Sequence, residues 1–134
     1  MPGTDRAPPG DMDRLELERR SLALAAGVFR FCGGFRSTPG GRGPADQLVD
    51  SATSVGANDR ATSRARSRAE FVSKLGIVVE EAYETVYGLE FIGRVGLGDE
   101  AAVDQLLTEA RELRAIFAAS YATERRNAGL RRVR

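Results

Sequence analysis

The side chains of this sequence with the plainest chemical capacity are arginines. Arg60, Arg64, Arg66 and Arg68 fall within one short stretch, and Arg125, Arg126, Arg131, Arg132 and Arg134 crowd the C-terminus. Every basic residue except Lys74 is arginine, whose planar guanidinium grips phosphate through two parallel hydrogen bonds. Contact with a nucleic-acid backbone is the chemistry such clusters serve. A formal net charge of +1 gives no overall attraction, so any attraction must come from how the charges are distributed. No aromatic residues are interleaved with these arginines in sequence, which argues against base stacking. Local stability is the competing explanation. Arginines that end a helix complement the negative end of its dipole, whereas Arg64, Arg66 and Arg68 precede or open a helix, where the dipole disfavours cations. An anionic partner, acidic groups from a neighbouring subunit, or an arginine-rich codon bias would each account for them.

The carboxylates raise a second possibility. Glu80, Glu81, Glu84 and Glu90 lie at turn-like spacings, and helical carboxylates placed so can hold two metals in ferritin-like bundles. Those sites also use Glu-x-x-His, and the chain contains no histidine. The glutamates therefore read as a solvated face or as partners for arginines of another subunit. Lack of histidine also removes the residue best suited to acid–base work near neutrality. The expectation is a protein that is not an enzyme, with no catalytic residue, metal or cofactor. Cys32, the only cysteine, sits in the apolar run Val28–Cys32 and reads as a buried, inert thiol.

These groups need a scaffold, and the apolar pattern supplies it. Phe71, Leu75, Val78, Ala82, Thr85, Leu89 and Ile92 recur at steps of four and three, one stripe along a helix over 67–94. Val103, Leu106, Ala110, Leu113, Phe117 and Ser120 do the same, closing at Tyr121, over a helix from Asp99 to Arg126. A first helix spans Met12 to Cys32. Leu15, Leu22, Ala25, Phe29 and Cys32 form its seam, with Leu24, Val28, Phe31 and Phe35 on the flank. A second runs from Pro44, a residue suited to the first turn, to Asn58 or slightly beyond, with Leu48, Ala52 and Val55 inward. Its small side chains predict close packing. Ser67 and Glu70 match a capping box, and Asp99 is suited to cap the last helix. Amphipathic helices joined by short turns bury their stripes together, so the fold class is all-α, an antiparallel up-down-up-down four-helix bundle.

The chain has 134 residues, 42% hydrophobic and 29% charged, a composition of one soluble domain. Residues 1–11, rich in proline and glycine, read as a disordered tail; 12–127 form the bundle, and 128–134 a basic tail. No apolar run nears the ~20 residues a membrane-spanning helix needs. The N-terminus lacks the continuous apolar segment of a secretory signal. A cytoplasmic location, with no membrane partner, is expected.

The segments 51–58 (Ser-Ala-Thr-Ser-Val-Gly-Ala-Asn), 67–75 (Ser-Arg-Ala-Glu-Phe-Val-Ser-Lys-Leu) and 80–87 (Glu-Glu-Ala-Tyr-Glu-Thr-Val-Tyr), and more loosely 15–20, carry a resemblance. In these motifs the chain resembles the four-helix-bundle family typified by proteins encoded in intervening sequences of bacterial large-subunit ribosomal RNA genes. It departs from the family pattern at Asp50, Ala61 and Gly88. The resemblance implies a bundle that assembles into a homopentamer and binds RNA or other nucleic acid. Related accessory proteins of diversity-generating retroelements work beside a reverse transcriptase and its RNA. No enzymatic activity is implied.

With alternating helices, the connection between helices two and three lies at the same end as the C-terminus. Arg60, Arg64, Arg66 and Arg68 should therefore meet Arg125, Arg126, Arg131 and Arg132 at one basic end. Val72, Val79, Tyr83, Val86 and Tyr87, flanking the stripe of helix three, are the expected contacts of an oligomer. The competing functions are a structural or adaptor protein that recruits a protein partner without nucleic acid, and a carboxylate metalloenzyme.

Overall fold

The structure, a computed structural model, describes the backbone of residues 13–133 and the side chains of residues 13–129. The expected N-terminal tail, residues 1–11, and Arg134 lie outside the described residues.

Four helices follow one another: α1 (Arg14–Gly33), α2 (Arg42–Thr62), α3 (Arg68–Val95) and α4 (Glu100–Val133). Among the described residues there is no strand. The start signals act as their chemistry requires. Asp13 accepts from the Leu15 amide to begin α1, Ser67 Oγ from the Glu70 amide at 3.1 Å to begin α3, and Asp99 Oδ2 from the Ala102 amide at 2.9 Å to begin α4. Glu70 closes its half of the box one residue early, taking the Arg66 amide at 2.8 Å. At the other end of α3, Gly96 takes a left-handed conformation and Leu97 N donates to Ile92 O, a Schellman-type stop. Gly98 has φ +73°, and a Cβ there would come within 2.7 Å of the Phe31 ring, so this turn can be made only by glycine.

The helices alternate in direction and pack in cyclic order, α1 on α2, α2 on α3, α3 on α4, with α1 on α4 the lightest contact; among the described residues the diagonal pairs α1–α3 and α2–α4 make no close backbone approach. Phe117, Leu48, Leu89, Ile92, Leu113, Val28, Val55, Val78 and Val86 are fully buried at the centre. The α3 stripe is buried from Leu75 to Ile92, with Phe71 half-buried. Ala45, Ser51 and Ala52 give α2 the small inner face that lets both neighbours approach. No helix among the described residues is long and apolar enough to cross a membrane.

Four expectations need correction. The inner face of α1 is Leu17, Ser21, Leu24, Ala25, Val28 and Cys32, whereas Leu15, Leu22 and Phe29 are 53%, 57% and 67% exposed. This helix is apolar on more than one side, and Ser21 is small enough to be buried where it lies against Gly56 of α2. Helix α2 begins at Arg42 and continues to Thr62, because Asp59 and Thr62 extend its buried stripe. Helix α4 does not stop at Arg126 but carries residues 127–133 as well, so the basic tail begins as helix. Ser120 is exposed; Tyr121 takes the inward place, against Gly76.

Candidate nucleic-acid interface

The end of α2, residues 63–67 and the start of α3 bring Arg60, Arg64, Arg66 and Arg68 to one end of the bundle. Antiparallel packing returns the second half of α4 to that same end. Arg68 Nη1 donates to Glu124 Oε1 at 2.6 Å, joining the two arginine-rich segments directly. Arg125 and Arg126 follow directly on the same helix, both exposed. The backbone of Arg131 and Arg132 continues this helix, and their side chains lie outside the described residues.

The arginines at this pole differ in how much of their charge is already answered. Arg60 lies 3.8 Å from Glu18. The Arg68 guanidinium, besides pairing with Glu124, lies 5.6 Å over the Phe71 ring. The awkward cation at the start of α3 is therefore compensated from within the chain. Arg66 is 91% exposed and only 4.0 Å from Glu70, a geometry that contributes little in water. Arg125 lies over Tyr121, 5.6 Å from the ring centre. Arg64 and Arg126 form no ion pair among the described residues. Although sequence order interleaves no aromatics here, folding sets Phe71 and Tyr121 beneath guanidinium groups.

Beneath this surface lies one of the few carboxylates at this end, buried where the sequence suggests a solvated counter-charge. Asp59 is 2% exposed. Arg14 Nη2 lies 3.8 Å from its Oδ1 and donates to its backbone oxygen at 3.2 Å and to Thr62 Oγ1 at 2.7 Å. Asp59 Oδ2 has no hydrogen-bond partner among the described residues. Burial pushes its carboxyl above the usual range, Arg14 and Arg60 oppose this, and Glu18 adds to it. Leu48, Ala52, Val55, Asp59 and Thr62 keep one helical stripe, so carrying the α2 pattern one turn further would have placed Asp59 inside.

This arginine-edged bundle has the form of a known family, and the model of the 23S rRNA-intervening sequence proteins matches residues 13–119. The chain belongs to that family. A protein of unknown function from the S23 ribosomal protein family of Bacteroides thetaiotaomicron is similar in structure, with TM-score 0.69 and 27% identity over 78% of this chain and 97% of that one. No curated protein matches.

In this member of the 23S rRNA-intervening sequence protein family, the expected oligomer contacts divide three ways. Tyr83 and Tyr87 are exposed, with Arg114 of α4 covering the Tyr83 ring at 4.9 Å. Val72 and Val79 are half-buried. Val86 is 1% exposed and is corrected to a core residue, because it faces inward between Ala82 and Leu89 and cannot reach another subunit. Between α2 and α3, Asp50, Glu81 and Glu84 line an open groove with Tyr87 and Phe91. Partial burial and the neighbouring Glu84, Glu80 and Asp50 push the Glu81 carboxyl upward. Among the described residues no three acidic or cysteine side chains converge as metal ligands.

Proposed function

We propose that this chain is a non-catalytic, self-assembling bundle of the cytoplasm that binds RNA or another nucleic acid through its arginine pole. The supporting observation is the Arg68–Glu124 contact, which ties the segment carrying exposed Arg64 and Arg66 to the stretch of α4 carrying exposed Arg125 and Arg126, at one end of the bundle. Guanidinium groups clustered at one end suit phosphates along a folded RNA backbone. The family description, which ties such proteins to intervening sequences of 23S rRNA, supports the same reading. Self-assembly, into the ring of five implied by the resemblance, is supported by the apolar side chains Leu15, Leu22, Phe29, Tyr87 and Phe91, left exposed on a single chain. Around an axis, the poles of several copies would add their fields.

Fluorescence anisotropy with a labelled structured RNA at two salt concentrations tests the reading. The expected result is binding at low salt that weakens steeply as salt rises. Replacing Arg64, Arg66 and Arg126 together by Gln should weaken it further while leaving helicity unchanged. Absence of binding at low salt would refute the reading. The acidic groove favours a second reading, an adaptor for a protein partner. Insensitivity to RNA together with co-purification of one stoichiometric polypeptide would support that instead.

A further inference from the structure

Two surfaces on either side of α2 are complementary. On α1, Leu15, Leu22 and Phe29 recur every seven residues and stand exposed, so they form one straight apolar edge. Arg19 and Arg30 flank that edge, exposed and without an ion pair among the described residues. Phe29 and Arg30 border the cleft between α1 and α2. The groove on the far side of α2 has the opposite character. Its carboxylates, Asp50, Glu81 and Glu84, have no basic partner among the described residues, and Tyr87 and Phe91 offer the apolar contact. Its floor is low because Gly88 lacks a side chain, and a Cβ there would sit 3.2 Å from Leu48 Cδ1. Phosphate is repelled by such a groove, whereas an amphipathic helix edged with arginine fits it.

We infer that the α1 edge of one copy, led by Leu22 and Phe29 with Arg19 and Arg30, docks in the acidic α2–α3 groove of the next copy. This rests on the self-assembly proposed above and names the surfaces that carry it. The two surfaces are different patches of the same chain, so the contact is heterologous. They share α2 as a common border, with Asp50 lining both clefts, and so lie on adjoining sides of the bundle rather than opposite ones. Successive copies are therefore turned relative to one another, as a closed ring requires.

Charge reversal tests this, because Arg19, Arg30 and Glu84 are exposed and Glu81 lines the open groove. One variant carries Glu81→Arg and Glu84→Arg; a second carries Arg19→Glu and Arg30→Glu. Multi-angle light scattering on a sizing column reads the mass, and circular dichroism checks that both remain helical. Each variant alone should run at the mass of one chain at concentrations where the unmodified protein is oligomeric. Mixing the two should restore assembly, since each groove then meets an edge of opposite charge, and the quadruple variant should assemble by itself. An oligomer indifferent to either reversal would overturn this docking while leaving self-assembly standing, and so would single-chain variants that mixing does not rescue. A single-chain mass for the unmodified protein would overturn both.

Discussion

Arg20 of α1 holds Glu109 of α4 through two parallel hydrogen bonds, Nε to Oε2 and Nη2 to Oε1, each 2.8 Å. Its Nη2 also reaches Glu112 Oε1 at 2.8 Å. The pair spans the seam where the bundle has its lightest helix contact. Planarity of the guanidinium is essential to this geometry, and an ammonium cannot reproduce it.

Arg20→Lys should therefore destabilise the fold, by about 1 kcal/mol after allowing for partial exposure, measured as a lower urea midpoint. The hydrogen bonds from Arg20 hold the Glu109 carboxyl below its usual range. The folded chain thus binds that proton less readily than the unfolded one. The stability from the pair is complete above the ordinary glutamate value of 4.5 and is lost as pH falls from there through the lowered value. The Lys variant should show a smaller loss over that acidic range.

Asp59 has the opposite sign. Its carboxyl is pushed upward by burial, so the folded chain keeps the proton to higher pH than the unfolded chain does. Stability should fall as pH rises from the ordinary aspartate value of 3.8 through the raised one, then level off. Asp59→Asn removes that fall. At neutral pH it should raise the melting temperature by a few degrees, about 1 kcal/mol, since Arg14 keeps its bonds to Thr62 Oγ1 and the backbone. Calorimetry at acidic and neutral pH checks this, and a lower melting temperature at neutral pH would refute it.

The arginine pole should not respond uniformly. Arg68 is committed to Glu124 and Phe71, whereas Arg64 has no ion pair among the described residues. Arg64→Gln should reduce RNA affinity and lower the salt slope by about one unit without changing stability. Arg68→Gln should lower the urea midpoint by up to about 1 kcal/mol and affect RNA binding less. Anisotropy and urea titrations on the same pair of variants separate the two roles.

Val86 is buried and Val72 half-buried on the same helix. Val86→Ala should cost about 2 kcal/mol by opening a cavity in the core, and Val72→Ala clearly less. Equal losses in thermal denaturation would contradict the placement of Val86 inside the bundle.

The long stripes of α3 and α4 were legible because their apolar residues follow one helical period with polar residues between them, leaving one way to bury them. Capping at Ser67 and Asp99 was legible from local chemistry. Helix α1 was not. Its apolar residues exceed one stripe, and only the position of Gly56 on another helix determines that Ser21 turns inward while Leu22 turns out. The meeting of the two arginine segments followed from alternating helix direction, but the pairing of Arg68 with Glu124, 56 residues away, is a tertiary fact. The burial of Asp59 was missed because a carboxylate at a helix end reads as solvated, and that burial depends on α1 lying across it.

Cys32, 1% exposed, lies with its Sγ 3.7 Å from Ala45 O, and burial pushes its thiol up to about 11. Thiolate, the reactive form, is therefore scarce near neutrality, and what exists is shielded from reagents. The protein thus carries its own opening clock: the rate at which a maleimide captures Cys32 reports how often α1 parts from α2. A cysteine introduced on the surface would be labelled by a fluorophore far faster than the buried native one.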